Sequence, residues 1–107
     1  MEKRAIQAHA ARFFPELFAA DRRGATAVVE RAIRRAASYH FVTFGDVQQF
    51  VDLVLELGED FEFLPEFHWA LAILNDLNPA RAPFRATCLY ERIVRQLARE
   101  ETHNACG

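Results

Sequence analysis

The sequence predicts an all-α protein. Three observations carry this: apolar residues recur at helical spacing along most of the chain, no segment alternates with period two for long enough to make a strand, and the composition is globular, with half of the 107 residues apolar and about a quarter charged. The length fits one domain, residues 1–107, able to bury a single core without metals or disulfides. A compact bundle of about five helices joined by short turns is expected, with a tail that frays from about residue 102.

The N-terminal segment carries Ile6, His9, Phe13 and Leu17 in a helical pattern that Pro15 interrupts. A helix to about Phe13 is therefore expected, then a kink or a fresh turn from Pro15. In the next segment Ala25, Val28, Val29, Ala32, Ile33, Ala36 and Ala37 form one continuous stripe, which predicts a helix from Ala25 to Tyr39 with Gly24 at its start. Its polar side bears Glu30, Arg31, Arg34 and Arg35. A third helix is predicted over Phe44–Leu57 through Val47, Phe50, Val51, Val54 and Leu55. The Thr43 hydroxyl is placed to cap the Asp46 amide, and Gly58 suits a left-handed stop.

Pro65 can open a further helix, because a missing N–H costs nothing in a first turn; it is expected to run to about Asp76 and to bury Phe67, Ala70, Leu71 and Leu74 on one edge with Trp69 and Ile73 on the other. Asn78-Pro79 breaks the chain. A last helix over about Arg81–Glu101 tolerates Pro83 only in its first turn and buries Leu89, Ile93 and Leu97.

Charge is unevenly spread. The net charge is −2, yet eight acidic residues and no Lys or Arg lie between Ala36 and Ala80, while the flanks hold all 13 basic residues against seven acidic ones. Pairing inside the fold is the first reading of this polarity; two faces offered to partners is the second. The N-terminus is interrupted by charge and His9 before a signal-peptide run can form, and no stretch of about 18 apolar residues could span a bilayer, so the expected location is cytoplasmic. Cys88 and Cys106 imply no disulfide framework.

Chemistry finds little support. Ser38, the only serine, lacks a nucleophile elbow, and Cys88 reads as a small core residue in a helix. His9, His40, His68 and His103 are scattered, and only His103 with Cys106 makes an i, i+3 pair, too few for a metal site. No cofactor is implied, and no enzymatic function is expected. Arg22, Arg23, Arg31, Arg34 and Arg35 raise nucleic-acid binding as an alternative, which the acidic total and the lack of interleaved aromatics disfavour.

The stretch from Gly58 to Trp69 holds four carboxylates, Phe61, Phe63, Phe67, a histidine and the only tryptophan. It lacks the order of a calcium loop, so its carboxylates are expected to face solvent or pair with arginine, while Phe61 and Trp69 pin the turn to the core. With Phe14 and Phe18 the aromatics exceed what a core of this size requires, which points to recognition of protein. The expected contacts are Glu59, Glu62, Phe63 and Glu66, with Arg31, Arg34 and Arg35 second.

The order Phe14-Pro15, Ile33-x-x-Ala36-x-x-Tyr39-x-Phe41, Asp46-Val47-x-x-Phe50-Val51-x-Leu53, Gly58-x-Asp60-Phe61, Pro65-x-x-x-Trp69-Ala70, Ile73-Leu74, then Arg85 and Leu89 resembles a family of small helical proteins. These are encoded beside type VI secretion effector and spike genes in Gram-negative bacteria. The match covers roughly residues 13–95, with the Gly-x-Asp-Phe and Pro-x-x-x-Trp-Ala pieces the most distinctive; His40 stands where the family pattern has glycine. The resemblance implies an accessory role toward an effector, adaptor or spike component, as adaptor, chaperone or immunity-type partner. It supplies no catalytic residues. A homodimer that joins the acidic middle of one copy to the basic flanks of another is a further expectation.

Overall fold

The computed structural model describes residues 3–106, with side chains described for 3–99. Among the described residues there are six α-helices and no strand: α1 (Lys3–Phe13), α2 (Pro15–Ala20), α3 (Arg22–Ser38), α4 (Phe44–Leu57), α5 (Ala70–Leu74) and α6 (Arg85–Cys106). Single 3-10 turns lie at Phe61–Phe63, Pro65–Phe67 and Ala82–Phe84. The class is all-α as the sequence predicts. The chain divides into two compact units, Met1–Phe61 and Glu62–Gly107.

In the first unit, α1 closes when the Phe14 amide donates to the Ala10 carbonyl at 2.8 Å. Phe14 then turns away (φ −127°, ψ 54°), as a residue before proline tends to, and Pro15 opens α2. The sixth helix thus comes from Pro15 starting a separate element. The third element begins three residues earlier than the apolar stripe suggests, because Asp21 is the cap: its carboxylate accepts from the Gly24 amide at 3.0 Å. Gly24 therefore sits inside the first turn, where a Cβ would run into that same carboxylate.

At the far end of α3 the His40 amide donates to the Ala37 carbonyl and the Phe41 amide to the Ala36 carbonyl, both at 3.0 Å. This paired closure needs a left-handed residue, normally glycine, and His40 supplies it at φ 66°. Helix α4 starts as predicted, with the Thr43 hydroxyl accepting from the Asp46 amide at 3.2 Å. Gly58 ends it at φ 113°, ψ 159°, a positive φ but an extended ψ, a region open almost only to glycine.

The core of this unit joins Ile6 and Ala10 of α1, Val29, Ala32 and Ala36 of α3, and Val47, Phe50 and Val54 of α4, all buried. Helix α3 packs on α4, α1 and α2. Phe50 is the hub, with the Tyr39, Phe41 and Phe61 rings at 5.8, 6.0 and 5.8 Å in tilted pairs. Such pairs add about 0.5–1.5 kcal/mol each beyond the area they bury.

In the second unit the expected Pro65–Asp76 helix is broken in two. The Phe67 amide donates to the Leu64 carbonyl and the His68 amide to the Pro65 carbonyl, both 3-10 bonds. The Glu66 carbonyl, which a continuous helix would give to the Ala70 amide, accepts from Gln96 Nε2 of α6 at 2.7 Å. Helix α5 then runs only from Ala70 to Leu74 and packs on α6. Its end is held by Arg85, buried, whose Nη1 donates to the Leu74 carbonyl at 2.6 Å. Asn78 and Asp76 cap the turn that follows, accepting from the Ala80 amide at 2.9 Å and the Asn78 amide at 3.0 Å respectively.

Pro83 falls in the 3-10 turn, and α6 starts at Arg85 rather than Arg81. Ala86, Leu89 and Ile93 are buried on α6, whereas Leu97 is half-buried. Cys88 is exposed, against its expected place in the core, because the buried stripe at 86, 89 and 93 leaves it on the outer side. Helix α6 is described to Cys106, across the expected fraying from about residue 102, whereas the side chains of the His103–Cys106 pair lie outside the described ones.

Candidate functional site

The two surfaces that the sequence nominates meet in the first unit. Arg31, exposed on α3, donates from Nε to Glu59 Oε1 at 2.7 Å and from Nη2 to Oε2 at 3.2 Å, the two-pronged geometry that suits a guanidinium. Arg35 approaches Asp60 at 3.9 Å, and its guanidinium lies 5.8 Å from the centre of the Phe50 ring. The bond from Arg31 holds the Glu59 carboxyl below its usual range. Much of the acidic middle's charge near α3 is thus answered inside the fold; Arg34 is exposed.

The remaining nominated residues belong to the second unit. Glu62 has no exposed surface, against the expectation that the carboxylates of this stretch face outward, because the tight turn at Phe61–Phe63 directs Phe61 and Glu62 inward and leaves Phe63 outside, 63% exposed. Glu66 is exposed, with its backbone carbonyl held by Gln96. Trp69 is half-buried rather than a core residue. Its indole N–H donates to Gln96 Oε1 at 3.0 Å, its ring meets Phe67 edge-on at 6.2 Å, and the Arg92 guanidinium lies 4.3 Å from its centre.

Around this tryptophan the second unit opens two adjoining concavities. One is an apolar groove of about 660 Å³ between α5 and α6, bordered by Trp69, Ile73, Phe84 and Cys88, with Arg81 and Arg92 at its edges. Arg81 is tied to Asp76, whose carboxyl it holds below the usual range, helped by the Asn78 amide. The other, about 450 Å³, is lined by Trp69, Arg92, Arg95, Gln96 and Arg99. Trp69 and Arg92 belong to both. The arginines recur at i, i+3 and i+7, so one face of α6 carries all three, and none of them is ion-paired among the described residues.

Their spacing was legible in the sequence. What was not legible is that Gln96, between them, fixes Trp69 beside the row and so builds the wall of a groove. Among the described residues no three His, Cys, Asp or Glu side chains gather as metal ligands would, and no helix is long and apolar enough to cross a membrane.

Compared with known proteins, the chain matches no protein-family model, no curated protein and no solved structure. The arrangement of residues therefore carries the functional reading. A groove with an apolar lining, an indole in its wall and guanidiniums along its edge can bind.

Proposed function

We propose that this chain is a non-catalytic helical module that binds a protein partner through the groove of the second unit. The observation that carries the reading is the apolar groove beside Trp69, with Phe84 62% exposed at its border. Binding free energy concentrates in residues such as Trp and Arg that a partner packs against and fully desolvates. An apolar trough along a helix is also the form that accepts a partner's helix. Arg31, Arg35 and Glu59 are already engaged, and Glu62 is covered, so among the nominated contacts Phe63, Glu66 and Arg34 serve as secondary ones.

The partner class follows from the family resemblance: an effector, adaptor or spike component of a type VI secretion system, with this chain as its accessory adaptor, chaperone or immunity-type protein in the bacterial cytoplasm. Pairwise co-expression with the products of flanking genes tests this. One product should co-purify with the tagged chain at fixed stoichiometry and be lost with Phe84→Asp, an exposed position whose change leaves the core intact. Retention of no product, or retention indifferent to Phe84→Asp, overturns the proposal.

A further inference from the structure

We infer that the occupant of the groove is an amphipathic helix whose apolar stripe is flanked by carboxylates; this rests on the groove reading above and names the chemistry of its partner. Charge complementarity carries the inference. In the first unit Arg31 and Arg35 already have acidic partners, Glu59 and Asp60. Arg92, Arg95 and Arg99 have none among the described residues, and they stand directly beside the apolar lining, with Trp69 and Arg92 common to both concavities.

Spacing fits the same occupant. From Arg85 to Arg99 the axis of α6 rises about 21 Å, the length of a partner helix of about 14 residues. A helix lying along α6 with Leu or Phe toward Ile73, Phe84 and Cys88 brings carboxylates one and two turns apart opposite Arg92, Arg95 and Arg99. The Arg92 guanidinium, its carbon 4.3 Å from the centre of the Trp69 ring, has five N–H donors and can hold the ring while offering some of them to a carboxylate.

Four probes titrated calorimetrically into the full chain decide the matter: a helical peptide of about 16 residues with a Leu stripe and Glu flanks, the same stripe with Lys flanks, the Glu flanks with an Ala stripe, and a short DNA duplex. The Leu/Glu peptide should bind at least about tenfold tighter than the Leu/Lys peptide, and the triple variant Arg92→Gln, Arg95→Gln, Arg99→Gln should erase that difference. Equal binding of both Leu peptides overturns the acidic partner but leaves the groove reading standing. Failure of both Leu peptides to bind overturns both. Duplex DNA binding tighter than the Leu/Glu peptide, and lost in the triple variant, overturns the protein partner in favour of nucleic acid.

Discussion

Each of the two units is held together internally by different means. The first is built on rings and closed charge: Phe50 sits among three aromatic neighbours, and the arginines of α3 meet Glu59 and Asp60. The second relies on side chains that grip backbone, Gln96 on Glu66 and Arg85 on Leu74, and leaves three arginines of α6 open beside an apolar groove. A chain with a net charge of only −2 therefore still offers one strongly cationic edge, because its pairing is uneven.

Breaking the ring hub should have the largest effect. Phe50→Ala removes the centre of the first core and is expected to cost about 3–5 kcal/mol, read from urea denaturation followed by circular dichroism. A loss under about 1 kcal/mol would mean that the rings are not what holds this unit. Next comes Gly58→Ala. Space is free around it, so the cost of about 1–3 kcal/mol comes from backbone strain alone.

The second unit's dependence on polar tethers is sharpened by Gln96→Ala, which frees the Trp69 indole and the Glu66 carbonyl and should cost about 1–2 kcal/mol. An unchanged denaturation midpoint would show those bonds to be dispensable. His40→Gly works in the opposite direction. A left-handed histidine closing α3 is replaced by the residue that this conformation favours, and a gain of about 0.5–1 kcal/mol is expected.

The smallest effect is a pH dependence in the first unit. Asp52 hydrogen-bonds His9 Nε2 at 3.2 Å with its other oxygen, Oδ1, buried and without a hydrogen bond. Burial pushes its carboxyl up, against the pull of His9 and with Glu56 adding to the rise. A raised carboxyl favours the fold when protonated, so its contribution is present at low pH and lost as pH rises through the folded value. Wild type should therefore gain on Asp52→Asn as pH falls from about 7 to about 3. Glu59 titrates in both proteins with the opposite sign and cancels from the comparison. Melting curves of the pair across this range would contradict the assignment if their separation stayed constant.

How much the residues disclosed depended on how local the deciding contact was. The Thr43 cap, the Pro15 restart and the stripes of α3 and α4 rest on neighbours within four positions, and all of them were readable. The break at Pro65–Ala70 depends on Gln96, 30 residues away, and no spacing rule could supply it. The same holds for the candidate site. Arg31 and Glu59 could be nominated separately, but their mutual bond joins positions 28 apart, and Glu62 owes its burial to a 3-10 turn that helical periodicity does not describe.

Trp69 is the chain's only tryptophan, and it lies in the second unit, with its indole bonded to Gln96 and its ring under Arg92. Its emission on selective excitation therefore reports on the surroundings of that one indole, while far-ultraviolet ellipticity sums over the helices of both units. The two signals superimpose during denaturation only if the units melt as one cooperative system. The fold thus carries its single indole label on its open half.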